Sequence, residues 1–122
     1  MPENEVLLGL HNSEYLETYE DFFKCATKYS TDSAKTYEEM LKKVREKEYK
    51  IYIMDLNLGK PMSEDITPAV EIYNLIKSRV ERGLAKFIAI SGDWMVVESA
   101  QKRGIPAEVK GDFSLRDFCK EK

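Results

Sequence analysis

The chain has 122 residues, 43% of them hydrophobic, which is enough for one compact domain with a packed core and argues against disorder. Its 19 basic and 22 acidic residues give a formal net charge of -3, and this balance excludes a basic surface of the kind that binds nucleic acids or anionic membranes. The sequence contains neither a signal peptide nor an apolar run long enough to span a bilayer, so we expect a cytoplasmic protein.

Short apolar runs alternate along the chain with longer stretches whose apolar residues recur at helical spacing. The apolar runs predict five strands, at residues 6–10, 29–33, 51–54, 87–90 and 108–110. The stretches between and after them predict five helices, at about residues 13–28, 36–47, 67–82, 93–103 and from 114 onward. Strands that alternate with helices in this way favour right-handed crossovers and a parallel sheet.

Capping residues predict where several helices begin and end. Thr36 opens a capping-box pattern, in which an N-cap hydroxyl is followed three residues later by a glutamate. Thr67 and Pro68 predict an N-cap with proline at the first helical position. Gly83 and Gly104 are predicted to end the third and fourth helices, because glycine readily adopts the left-handed backbone conformation common at helix C-termini.

The predicted fold class is α/β, with one domain over residues 1–122 built on a doubly wound, five-stranded parallel sheet that has helices on both faces. Residues 51–54 and 87–90 are uniformly apolar, as expected for strands that helices cover on both sides. In open sheets of this type, ligands bind outside the carboxyl ends of the strands. The residues just after each apolar run are therefore the candidates for function.

Three chemically complementary side chains stand at the ends of predicted strands. Asp55 follows the third strand, Ser91 follows the fourth, and Lys110 ends the fifth. A carboxylate can attack phosphorus as a nucleophile, a hydroxyl can bond a phosphoryl oxygen, and an ammonium group can offset its charge. The set predicts a phosphoryl-transfer site, although Asp55 could instead cap a turn, and Lys110 could pair with it for structural reasons alone.

In order and spacing, these residues resemble the receiver domain of bacterial and archaeal two-component response regulators, which has a flavodoxin-like fold. In that family an aspartate ends the third strand, a serine or threonine the fourth and a lysine the fifth, as Asp55, Ser91 and Lys110 do here. Gly92 matches the small residue that usually follows the hydroxyl residue, and residues 55–62 resemble the family's acceptor loop. The resemblance implies that Asp55 is the phosphoacceptor and that Ser91, Gly92 and Lys110 contact the phosphoryl group.

The resemblance also implies a Mg²⁺ site, held by the side chain of Asp55 and the backbone carbonyl of Asn57. The family supplies further charge from two adjacent acids after the first strand, where this chain has His11 and Asn12. The Asn12 side chain offers a neutral oxygen, so we expect weaker metal binding rather than its abolition. Nearby acids could replace the missing pair: Glu14, Glu64, Asp65 and Asp93.

Further departures from the family pattern lie near the ends of the strands. Ala107 stands where receivers usually carry an aromatic residue, and Gly111 stands where they usually carry proline. His11 is the single histidine, and we expect a loop residue satisfied by its neighbours, with a transition-metal or phosphate contact as the alternative.

The resemblance implies a stand-alone signalling receiver, not an enzyme, in which Asp55 takes a phosphoryl group from a histidine kinase or a phosphotransfer protein. The signal would leave through noncovalent contact with a downstream protein at the fourth helix, fifth strand and fifth helix. The alternative is a pseudo-receiver, a phosphorylation-independent interaction module, which the missing acids and the missing aromatic residue favour. Small phosphohydrolases of the haloacid-dehalogenase type order similar residues along a parallel sheet, but Asn57 stands where they use an acid.

Overall fold

The computed structural model of the chain describes residues 5–58 and 65–120, and within them strands alternate with helices. The strands are β1 (Val6–Gly9), β2 (Thr31–Ala34), β3 (Ile51–Asp55), β4 (Lys86–Ser91) and β5 (Ala107–Val109). The helices are α1 (Ser13–Ala26), α2 (Tyr37–Glu46), α3 (Thr67–Glu81), α4 (Trp94–Lys102) and α5 (Leu115–Lys120). Every predicted strand and helix is present, with ends within two residues of the prediction. None of the helices in the described ranges combines the length and the apolar character needed to cross a lipid bilayer.

The five strands run parallel in one sheet, in the order β2-β1-β3-β4-β5, which confirms the predicted fold class. The chain moves from β1 outward to β2, crosses back to β3, and then continues outward through β4 to β5. The direction of winding therefore reverses between β1 and β3, which pair with each other at the centre of the sheet. This reversal opens a crevice at the carboxyl ends of the two central strands, where doubly wound sheets usually bind ligands.

Successive residues of the central strands point to opposite faces of the sheet and begin two apolar layers. On β3, Tyr52 and Met54 join the layer that α2, α3 and α4 cover, whereas Ile51 and Ile53 join the layer beneath α1 and α5. Because helices bury both faces of this strand, its uniformly apolar sequence is the expected one. Polar chemistry at the centre of the sheet is therefore confined to the strand ends.

The capping box and the two glycine stops are confirmed. At the start of α2, the N–H of Glu39 donates to Oγ1 of Thr36 at 3.1 Å, and Oε1 of Glu39 accepts the N–H of Lys35 at 3.0 Å. After α3 and α4, Gly83 and Gly104 have φ angles of 76° and 81°, the left-handed conformation that glycine adopts without strain.

The predicted start of α3 is wrong by one residue. Thr67 is the first helical residue, and Ile66 occupies the N-cap position without a side-chain hydrogen bond. The N–H of Thr67 donates instead to Oδ1 of Asp65 at 2.9 Å. An upstream carboxylate therefore satisfies the N–H of Thr67, one of the free N–H groups of the first turn.

Candidate functional site

Asp55 is the last residue of β3 and lies at the central crevice, with 6% of its surface exposed. Its Oδ2 accepts the backbone N–H of His11, which follows β1 closely, at 2.8 Å. The pairing of β1 with β3 thus extends into a contact between the backbone after one strand and the carboxylate that ends the other. This hydrogen bond holds the orientation of the carboxylate at the crevice.

Lys110 follows β5 directly, and its side chain reaches Asp55 across the end of β4, which lies between their strands. Its backbone N–H donates to the carbonyl of Ser91 at 2.8 Å, and its Nζ lies 3.2 Å from Oδ1 of Asp55. The ammonium group is at ion-pair distance but is not aligned for a hydrogen bond. Oδ1 is therefore a buried oxygen without a hydrogen-bond partner among the described residues. Such groups are uncommon in folded proteins and often mark functional sites.

Ser91 is the last residue of β4, and the exposed Gly92 follows it. Ser91 is buried, and its Oγ accepts the N–H of Asp93 at 3.1 Å. A hydroxyl that accepts in this way retains its own proton for donation. The structure thus brings Asp55 and Lys110 into contact and places Ser91 at the same edge of the sheet.

Asn12 and Asn57 are the predicted metal ligands besides Asp55. Asn12 is the N-cap of α1, and its Oδ1 accepts the N–H groups of Glu14 at 2.8 Å and Tyr15 at 3.2 Å. Asn57 lies in the turn after Asp55. Because the Asn12 oxygen is already bonded to the first turn of the helix, this side chain acts as a cap.

The acids considered as substitutes for the missing pair have other positions. Glu14 is exposed on the first turn of α1, and Asp93 is the N-cap of α4, where it accepts the N–H of Met95 at 2.9 Å. Asp65 bonds the start of α3, and Glu64 lies outside the described residues. Within the part of the chain that the structure describes, no group of three or more His, Cys, Asp or Glu residues could hold a metal ion. The described acids therefore form no cluster that replaces the missing pair, whereas a Mg²⁺ site on Asp55 and the backbone carbonyl of Asn57 stays a prediction.

Two tyrosines of α1 extend the site in a way that the sequence did not predict. The Nζ of Lys110 lies 4.6 Å from the centre of the Tyr15 ring, a cation–π distance. Tyr15 meets the ring of Tyr19 at nearly a right angle, with 6.2 Å between the ring centres. Burial, followed by the neighbouring Tyr15 and Asp55, raises the pKa of the Tyr19 hydroxyl to about 12. Helical periodicity places both tyrosines on a helix over residues 13–28, and it carries no information about which ring meets a lysine from a distant strand.

The main chain of His11 is a second group that sequence reasoning missed. The prediction concerned its imidazole, whereas the structure uses its backbone N–H as the donor to Asp55. Every residue except proline carries the same N–H, so no feature of the sequence could have identified this donor.

No protein-family model matches the sequence, and no curated protein matches it significantly. Solved structures do share its fold. One is a response regulator protein from Burkholderia pseudomallei with a phosphorylated aspartic acid, calcium ion and citrate, at 17% identity and a TM-score of 0.69. The match covers 96% of this chain and 65% of that protein, so the chain spans slightly less than two thirds of its length.

A second similar structure is the co-crystal of the Saccharomyces cerevisiae histidine phosphotransfer signaling protein Ypd1 with the receiver domain of its downstream response regulator Ssk1. The identity is 21%, the TM-score is 0.67, and the match covers 98% of this chain and 86% of the other. At these identities the likeness concerns the fold, and it confirms that this chain has the fold of receiver domains.

Proposed function

We propose that this receiver-fold chain is a signalling domain in which Asp55 accepts a phosphoryl group from a phosphohistidine of a histidine kinase or phosphotransfer protein. The observation that carries the proposal is the Asp55–Lys110 pair. A buried carboxylate faces an ammonium group at 3.2 Å, and Oδ1 has no hydrogen-bond partner among the described residues. The similar structures support it, since one contains a phosphorylated aspartic acid and the other a histidine phosphotransfer protein beside a receiver domain.

In the proposed reaction, the Asp55 carboxylate attacks the phosphorus atom of the donor. The new oxygen–phosphorus bond forms an acyl phosphate, and the phosphorus–nitrogen bond of the phosphohistidine breaks, so that the imidazole of the donor leaves with the bonding electrons. Lys110 offsets the negative charge of the transferred group, and the Ser91 hydroxyl donates a hydrogen bond to one of its oxygens. The N–H of His11 keeps the carboxylate oriented during the attack.

The proposed output is noncovalent contact with a downstream protein through the surface of α4, β5 and α5. Trp94 and Met95 begin α4 and are 62% and 63% exposed, although both are large and apolar. They follow Ser91 closely along the chain, so a change at the phosphoryl site lies near an apolar surface suited to protein contact.

A second candidate function is a pseudo-receiver that binds its partner without phosphorylation. The observation that favours it is the donor set at the crevice. The Asn12 oxygen is bonded to the first turn of α1, and the described residues contain no cluster of acids that could hold a metal ion. In this case the Asp55–Lys110 pair would have a structural role alone.

Treatment with acetyl phosphate, with and without Mg²⁺, separates the two functions. We expect intact-mass spectrometry to detect one added phosphoryl group on the protein, and peptide mapping to locate it on Asp55. The adduct should be absent from Asp55→Asn and present in Asp112→Asn, a matched control in the exposed turn after β5.

The contrary result is equally clear. An unmodified protein under both conditions, or an adduct on another residue, would remove Asp55 as the acceptor. If a partner then bound wild type and Asp55→Asn with equal affinity, the pseudo-receiver function would be the one supported.

A further inference from the structure

The ammonium group of Lys110 is held from two sides by different chemistry. On one side it lies 3.2 Å from Oδ1 of Asp55, and on the other it lies 4.6 Å from the centre of the Tyr15 ring. The lysine side chain is 19% exposed, so most of its length is packed in the domain. The negative face of an aromatic ring attracts a cation, and the attraction strengthens as the cation loses water.

The Tyr15 ring belongs to a row of aromatic residues that joins α1 to the turn carrying Lys110. Tyr15 packs edge-on against Tyr19, and Tyr19 lies 6.3 Å from the ring of Phe113. Phe113 follows Lys110 in the same turn, and its N–H donates to the carbonyl of Val109 at 3.0 Å. The row therefore fixes the distance between the Tyr15 ring and the backbone from which the lysine extends.

The contact with Asp55 alone does not define the position of the ammonium group, because it lacks hydrogen-bond alignment. We propose that Tyr15 is a positioning residue, whose ring holds the Lys110 ammonium at the mouth of the crevice, where it can meet a phosphoryl group on Asp55. The second half of this statement rests on the proposed function. When Asp55 becomes an acyl phosphate, the carboxylate charge moves outward to the phosphoryl oxygens, whereas the ring stays in place beside the lysine.

Chemical labelling of lysines tests the position of the ammonium group without any phosphorylation. We expect Tyr15→Leu to raise the acetylation rate of Lys110 by about two- to fivefold, measured against the exposed Lys102, because the cation loses one of its two partners. Tyr15→Phe keeps the ring and should recover most of the protection. Tyr29→Leu is the matched control, since it removes a tyrosine ring that lies near Lys50 and should leave Lys110 unaffected.

Phosphorylation kinetics test the consequence. We expect Tyr15→Leu to lower the maximal rate of Asp55 phosphorylation by acetyl phosphate about fivefold with circular dichroism unchanged, and Tyr15→Phe to restore most of that rate. Unchanged Lys110 labelling in Tyr15→Leu, an equal rise in Tyr15→Phe, or raised labelling with an unchanged phosphorylation rate would overturn the proposal. If wild type accepts no phosphoryl group at all, the proposed function fails, and the labelling alone decides whether Tyr15 positions the lysine.

Discussion

Two clusters in this domain each combine an aspartate, a lysine and a tyrosine, and their hydrogen bonding differs. In the first, Oδ1 of Asp32, on β2, accepts hydrogen bonds from the Lys43 ammonium at 2.7 Å and from the N–H of Ser33 at 3.0 Å. Its Oδ2 accepts the hydroxyl of Tyr49 at 2.9 Å. Lys43 also donates to the carbonyl of Ser33 at 2.6 Å, so both carboxylate oxygens and the ammonium have hydrogen-bond partners within the domain.

The second cluster is the candidate site, and its bonding is incomplete. Among the described residues Asp55 has one hydrogen bond, from the backbone of His11, while Lys110 lies near Oδ1 without hydrogen-bond alignment and contacts the ring of Tyr15. A saturated cluster stabilises the fold, whereas an incomplete one keeps lone pairs and a cation for a ligand. The same three residue types therefore differ in hydrogen bonding because of geometry, and each of the following predictions probes that difference.

The largest expected effect is on stability, and it separates the two aspartates. Asp32→Ala leaves the buried hydroxyl of Tyr49 without its acceptor and removes one of the two acceptors of the Lys43 ammonium, so we expect the free energy of unfolding to fall by about 2 kcal/mol. Asp55→Ala should cost less than about 1 kcal/mol, because it removes a single hydrogen bond. Urea denaturation measures both, and equal losses would contradict the distinction between the clusters.

The two lysines should differ in the opposite sense from the two aspartates: replacing the lysine of the candidate site should have the larger effect, and the quantity affected is the phosphorylation rate. We expect Lys110→Met to slow acetyl phosphate labelling of Asp55 about tenfold, or about 1.4 kcal/mol of transition-state stabilisation, because no ammonium then offsets the phosphoryl charge. Lys43→Met should leave the labelling rate unchanged in the folded protein. A comparable slowing by both variants would show that the effect comes from stability and not from the site.

Removal of one hydroxyl from the saturated cluster should have a smaller effect. Tyr49→Phe keeps the buried ring and deletes the hydrogen bond to Asp32, so we expect a loss of about 1 kcal/mol by urea denaturation. Tyr15→Phe is the matched variant at the site, and it should leave stability unchanged, since Lys110 contacts the ring of Tyr15 and Tyr15→Phe keeps that ring. A loss on Tyr15→Phe as large as that on Tyr49→Phe would mean that both hydroxyls have structural roles.

The smallest expected effect is on how the free energy of unfolding depends on pH in the acidic range. Burial opposes ionisation of Asp32, but hydrogen bonds from Lys43, Tyr49 and the backbone of Ser33 outweigh it and lower the pKa of Asp32 below its ordinary value of 3.8. A lowered pKa contributes stability that is complete above the ordinary value and is lost as the pH falls through the folded-state value. The stability difference between wild type and Asp32→Asn should therefore shrink as the pH falls below about 4. A stability difference that stays constant until Asp32 is fully protonated would contradict the lowered pKa of Asp32. Asp112→Asn serves as the control.

The strands and helices could be predicted because their signals are local. The apolar runs of β3 and β4 appeared in the sequence as strands buried on both faces, and Thr36, Gly83 and Gly104 marked helix ends at the correct places. The structure begins α3 one residue earlier than the sequence predicts, and Asp65 accepts the N–H of Thr67. Thr67 as N-cap would instead accept an N–H two or three residues further on, and sequence preference does not decide between the two arrangements.

The candidate site was predicted in its side chains but not in its contacts. Asp55, Ser91 and Lys110 stand at strand ends, and the parallel sheet brings such ends to one edge. The role of Asn12 as a cap could have been inferred, because asparagine before a helical stretch is a frequent N-cap. The ring of Tyr15 beside Lys110 could not, since helical periodicity does not tell which aromatic residue of α1 meets a residue from a distant strand.

The amino-acid order by itself determined the alternation of strands and helices, the parallel sheet and the positions of the chemically active side chains at its edge. These follow from repeating patterns of apolar residues, and neighbouring residues are sufficient to define them. The tertiary structure alone decided which oxygen of Asp55 has no hydrogen-bond partner in residues 5–58 and 65–120, which backbone N–H meets the other oxygen, and which aromatic ring lies beside the lysine. Those choices depend on ångström-scale distances between segments far apart in the chain, and on backbone groups that nearly every residue has in common.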